Sequence, residues 1–221
     1  VTKAMDAGED KKIAIVRILR DYIEESKNIR FEGDGYSDEW VKEAEKRGLS
    51  NVKNTGRALD AFLTDDSIKL FEKFGIMSKL ELEARNEIRY ENYIMKLQIE
   101  SRLIGEMALG MIIPSAMKYQ NKLIENAQGL KDLGIDSAHV VESLNRLNLH
   151  VSDLKSKIAA MIEARKAANL IEDSREKAIA YCDKVKEQYF DEIRYAVDQL
   201  ELNIDDDEWP LPKYREMLFL R

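Results

Sequence analysis

The sequence predicts a mainly α-helical protein. Short helices and a turn-rich segment occupy residues 1–77, an elongated antiparallel bundle of three long helices spans 78–204, and a docked tail covers 205–221. Three observations lead there. Turn-forming residues are scarce: 10 glycines and 3 prolines in 221 residues, or roughly 4–5% and 1–2% against typical values of about 7% and 5%. β-Sandwiches and barrels consume both in their turns. Charged residues make up 35% and apolar ones 44%, which supplies helical surface over a true core rather than disorder. Apolar residues also recur at three- and four-residue spacing between recognisable helix caps.

The first amphipathic helix spans 11–28, where Ile13, Val16, Leu19, Tyr22 and Ile23 alternate with Arg17, Arg20, Asp21 and Glu24. Asp34-Gly35 marks a turn. Ser37 caps a short helix over about 38–47, with Asp38 and Glu39 in its first turn and Gly48 as its C′ residue. Two more short helices follow near 56–63 and 66–74, the second closed by Gly75.

Ser78-Lys79-Leu80-Glu81 is a capping box. Helical patterning then runs to about Leu130, roughly 75–80 Å of helix. Pro114 interrupts it, and a kink or break is expected there. A second long helix starts at Asp136 or Ser137. Its apolar residues Val140, Leu144, Leu147, Val151, Leu154, Ile158, Met161 and Ala168 form a heptad seam, with Arg165 in the one skipped slot. After Asp173-Ser174-Arg175-Glu176, the third long helix carries Ala178, Cys182, Val185, Tyr189, Ile193, Ala196 and Leu200. Short connections make these helices antiparallel neighbours.

Several function classes are excluded. The net charge is −7, from 42 acidic and 35 basic residues, which disfavours a nucleic-acid partner. The longest uncharged central stretch, Met107–Met117, is too short to span a membrane. No signal peptide is expected in residues 1–12, which are mixed and polar. Cys182 is the single cysteine, which fits a reducing, cytoplasmic compartment and rules out an intrachain disulfide. His139 and His150 lack a Glu three residues before them, so no di-iron motif exists. Gly33-Asp34-Gly35 is not a dinucleotide fingerprint, and no phosphate loop occurs. Cys182 reads as a core residue, and the acidic run Asp205–Glu208 as a turn or solvated face. No catalytic, cofactor-binding or metal-binding residue is assigned.

The tail resists a bland reading. Chain ends are usually polar and frayed, yet this one carries Trp209, Leu211, Tyr214, Met217, Leu218, Phe219 and Leu220, with Pro210 and Pro212 fixing an extended entry. It must dock on this domain or on a neighbouring subunit. Trp209, Pro210, Pro212, Tyr214, Leu218, Phe219 and Pro114 are the candidate structural and interface residues.

The pattern Trp209-Pro210-Leu211-Pro212-Lys213-Tyr214, ending in Leu218-Phe219, resembles the C-terminal signature of type III glutamine synthetases. Phe31-Glu32-Gly33-Asp34-Gly35-Tyr36-Ser37-Asp38-Glu39-Trp40 with its continuation to Leu49, Leu70–Gly75, Glu87–Tyr93, Ile113–Gln120, Arg165–Asn169 and Asp173–Tyr181 are similar to that family in the same order. Two positions depart from it: Glu32 stands where an asparagine is expected, and Glu83-Ala84-Arg85 where a His-Ser-Arg stretch is expected.

The resemblance implies the C-terminal region of a large enzyme that joins ammonia to glutamate through a γ-glutamyl phosphate. That enzyme uses ATP and Mg2+ (or Mn2+) and assembles as two six-membered rings. Residues 1–77 would then end the catalytic-domain region. The family's catalytic motifs match no position here, so no cofactor is expected in this chain, and its start at Val1 reads as a fragment boundary. The implied partners are the rest of its own catalytic domain and neighbouring subunits of a homo-oligomer, without nucleic acid or membrane. The competing expectation is a free-standing helical adaptor or scaffold.

Overall fold

The computed structural model describes residues 1–218, and among them every regular element is helical. The contacts divide the chain into two compact units, Val1–Lys53 and Asn54–Arg221.

The first unit holds α1 (Thr2–Asp6), α2 (Lys11–Glu25) and α3 (Asp38–Lys46). α2 starts where it does because the Asp10 carboxylate accepts the Lys12 and Ile13 backbone N–H groups at 3.0 and 3.3 Å. Before α3, Asp34 accepts from the Tyr36 N–H at 2.9 Å, and Ser37 Oγ caps the helix by accepting from the Trp40 N–H at 3.2 Å. The Phe31 ring lies 4.6 Å from that of Trp40. A Cβ on Gly33 would stand 2.5 Å from the tip of the Phe31 ring, so any larger residue there would make that ring shift. Arg47 closes the motif by donating to the backbone carbonyls of Asn28 and Arg30.

The second unit opens with α4 (Thr55–Ala58), a 3₁₀ turn (Leu59–Leu63) and α5 (Asp65–Lys73). Three long helices follow, at 79–132, Ala138–Asn169 and 174–203. The first is 54 residues long and the third 30. Ser78 starts the first with the full reciprocal box: its Oγ accepts from the Glu81 N–H at 3.3 Å, and Glu81 accepts from the Ser78 N–H at 2.8 Å.

The seam of the second long helix is the bundle core. Val140, Leu147, Val151, Leu154, Ile158, Met161 and Ala168 are buried, while Leu144 is half-buried. From Leu147 to Ala168 these buried residues meet Ala178, Tyr181, Val185, Ile193, Ala196 and Leu200 of the third helix and Ile94, Leu97, Ala108 and Ile112 of the first in one cluster. Asn169 ties all three together, its Oδ1 accepting from Gln98 Nε2 at 2.6 Å and from the Tyr181 hydroxyl at 2.7 Å.

Two features refine the sequence expectation. Of the kink or break expected, the structure has a local disturbance of the helix and no break at Pro114. A π-helical turn, Ala108–Ile112, stands just before it, and Pro114 sits in the first turn of the α-helical stretch Ile113–Asp132. The wide turn displaces the carbonyl that proline could neither bond nor clear, so the helix continues. The long-helix start at Ser78 is also not where the contacts divide the chain. Residues 54–77 belong with the bundle because Leu59 enters its core and Arg57 and Asp60 pair with the third helix.

Candidate functional site

Two constellations in the second unit concentrate its polar and aromatic groups. The first joins the short helices to the bundle. Asp60, from the 3₁₀ turn, accepts two hydrogen bonds from the Arg175 guanidinium at 2.6 and 2.7 Å and a third from the Tyr90 hydroxyl at 2.7 Å. Arg57 grips Asp183 in the same two-pronged way, at 2.6 and 2.7 Å. Beside them the Arg89 guanidinium lies 4.0 Å over the Phe62 ring. Cys182 and Glu187 meet at 3.4 Å, five residues apart on the π-helical stretch Tyr181–Phe190, whose wider turn brings positions i and i+5 together.

The electrostatics follow from this pairing. The Arg175 hydrogen bond holds the Asp60 carboxyl below the usual range, and Arg57 does the same for Asp183. Burial, reinforced by Asp60, pushes the Tyr90 hydroxyl up to about 12, so it stays a donor at physiological pH. A carboxyl with a depressed folded pKa contributes stability that is complete above its unfolded value, near 4, and is lost as pH falls through the folded value. The melting temperature of the wild type is therefore expected to fall by a few degrees more between pH 5 and pH 3 than that of Asp60→Asn. Thermal melts across that range check this; parallel curves would contradict it.

This joint is structural in its chemistry. Cys182, Asp183 and Glu187 bring ligand atoms within 4.8 Å of one another. Mg2+ demands oxygen ligands in octahedral geometry, whereas here burial pushes the Cys182 thiol up, keeping it protonated, and Asp183 is neutralised by Arg57. These residues do not fit Mg2+ or Mn2+. His139 is exposed, and among the described residues neither histidine joins a group of three potential metal ligands.

The second constellation is the tail. The acidic run is used as a turn: Asp205 accepts from the backbone N–H groups of Asp207, Glu208 and Trp209 at 2.9, 3.1 and 3.0 Å. Glu208 pairs with Lys122 at 2.6 Å and Asp206 with Lys213 at 2.7 Å, while Lys213 Nζ also donates to the Ile204 carbonyl at 2.9 Å. This turn delivers Trp209 into the core, where it is buried, with Leu211 packed behind it.

Trp209, Leu211, Pro212 and Met217 line a cleft of about 530 Å³ against Ile104, Ile112 and Val197. Asp191, Asp198 and Glu201 edge this cleft, and its one arginine, Arg194, already pairs with Asp198 at 2.7 Å. An acidic, apolar cleft of this kind does not fit the triphosphate of ATP.

Of the residues singled out in the sequence, Trp209 is buried, Pro210 half-buried, Pro212 exposed and Leu218 60% exposed. Tyr214 begins the final turn Tyr214–Met217. Phe219 lies outside the described residues. Glu32, Glu83 and Arg85, the positions departing from the family pattern, are exposed. The joint at Asp60 and Asp183 was invisible in the sequence because its partners lie 115 and 126 residues apart with no local pattern to link them.

Residues 14–131 match the family described as "Glutamine synthetase C-terminal domain". The chain belongs to that family. Across its full length it is 43% identical, over 227 aligned residues, to a glutamine synthetase of Bacteroides fragilis (strain YCH46), covering 31% of that protein. It is 30% identical over 217 residues to a type-3 glutamine synthetase of Dictyostelium discoideum, covering 96% of this chain and 29% of that one. A glutamine synthetase of Butyrivibrio fibrisolvens is 31% identical over 215 residues, with coverage of 96% and 31%. The chain thus spans under a third of the length of these glutamine synthetases. No helix among its described residues is long and apolar enough to cross a membrane.

Proposed function

We propose that this glutamine synthetase C-terminal domain is an architectural and oligomerisation element that carries no catalytic residue. In this reading the intact polypeptide is a cytoplasmic ligase that joins ammonia to glutamate, driven by ATP with Mg2+ or Mn2+, in an assembly of two six-membered rings. The catalytic and metal-binding groups belong to the part of the relatives that this chain does not span.

The observation that carries the reading is that the long-range polar pairs of the bundle are internal joints between its helices. Asp60, Asp183 and Asn169 hold helix to helix, and the tail's acids hold a turn.

Incubating the isolated 221-residue chain with glutamate, ammonium and Mg-ATP is expected to give no glutamine above the protein-free blank. An intact polypeptide of the relatives' length is expected to form it. Glutamine made by the isolated chain would contradict the proposal.

A further inference from the structure

Helix α2 carries an apolar stripe that the rest of its own unit leaves open. Ile13, Val16, Leu19, Tyr22 and Ile23 are between 53% and 67% exposed, and at 3.6 residues per turn they share one side of the helix, with the fully buried Ala14 on the other. Large contiguous apolar patches on a protein surface mark contacts. The rest of the unit deepens the anomaly. Among residues 1–53 only Ala14 and Ala44 are buried, which is too little core to hold a segment of this size by itself.

The comparisons indicate what covers the stripe. The match lies in the C-terminal third of relatives about three times as long as this chain. The domain match opens at Ala14, inside α2. The unmatched two thirds of such a polypeptide therefore precede this chain's first unit, to which α2 belongs. Lys12 and Arg20 lie along the stripe beside Ile13 and Val16, and Arg20 is offset by Asp21 and Glu24 at 3.4 and 3.9 Å, so the complementary surface is mainly apolar.

We propose that the Ile13–Val16–Leu19–Tyr22–Ile23 face of α2 docks on the upstream part of the same polypeptide and anchors the C-terminal domain to it. This rests on the reading of the chain as one part of a longer glutamine synthetase.

Hydrogen exchange of α2 amides tests it, comparing the intact polypeptide with the 221-residue chain. Exchange at 13–25 is expected to be at least tenfold slower in the intact polypeptide. The double variant Val16→Glu, Ile23→Glu is expected to abolish that difference, while protection of 138–169 in the 221-residue chain stays at the wild-type level. Equal α2 exchange in the two wild-type proteins would overturn the proposal, as would a double variant that keeps full protection. Protection that instead appears in the 221-residue chain with rising concentration would also overturn it, assigning the face to a second copy. Failure of the functional reading is separable, since it would appear as an intact polypeptide that protects α2 but forms no glutamine.

Discussion

Trp209→Ala is expected to destabilise the second unit by about 3–5 kcal/mol, the usual cost of removing a large buried aromatic. Its melting temperature should fall by roughly 6–20 °C. The magnitude follows from the position of the side chain. Trp209 is buried within the bundle's own cluster, so truncation leaves a cavity lined by residues of the first and third long helices. The ion pairs Glu208–Lys122 and Asp206–Lys213 cannot compensate, because exposed pairs contribute little. The tail is also expected to become a site of rapid proteolysis near residues 205–213, since Trp209 is its deepest attachment. Trp209→Phe should retain most of the stability. Thermal melts with limited proteolysis check both effects, and a loss under about 1 kcal/mol would show that the tail is not fixed by this residue.

Leu154→Ala is expected to cost about 2–5 kcal/mol. Leu154 is fully buried midway along the heptad seam, packed in the same cluster as Ile158, Val185 and Ile193. The control is on the same helix. Leu149 lies off the seam and is 65% exposed, so Leu149→Ala is expected to change stability by less than about 0.5 kcal/mol. Denaturant unfolding of the two variants measures the difference, and equal losses would contradict the assignment of the seam as core.

Much of the bundle was legible because its signals are local. The capping box at Ser78, the C′ glycines Gly48 and Gly75 with φ of +71° and +61°, and the heptad run of the second helix each fix a conformation from a few neighbouring residues. The third helix carried a subtler sign. Its buried positions Val185 and Ile193 are eight residues apart rather than seven, and the π-helical stretch Tyr181–Phe190 absorbs the extra residue. The turn Ala108–Ile112 had only Pro114 as its marker, which predicts a kink or a break without saying which.

What stayed hidden depends on distant residues. Nothing near Asp60 announces Arg175 or Tyr90, and Asn169 gives no local sign that it joins three helices. The aromatic pair Phe31–Trp40 gives a physical reason for a block that sequence reading could only match to a family: the two rings bracket the Asp34-Gly35 turn in sequence and stack at 4.6 Å, with Gly33 close against the Phe31 ring. The grouping of residues 54–77 with the bundle likewise rests on ion pairs that no period reveals.

The turnover number of the assembled fraction of the intact polypeptide carrying Leu154→Ala tests the account most directly. Sedimentation is expected to show less assembled protein than wild type, while kcat of the fraction that does assemble stays within about twofold. A fall in kcat of more than tenfold with assembly intact would contradict the account, because it would give the bundle a part in the chemistry rather than in the architecture.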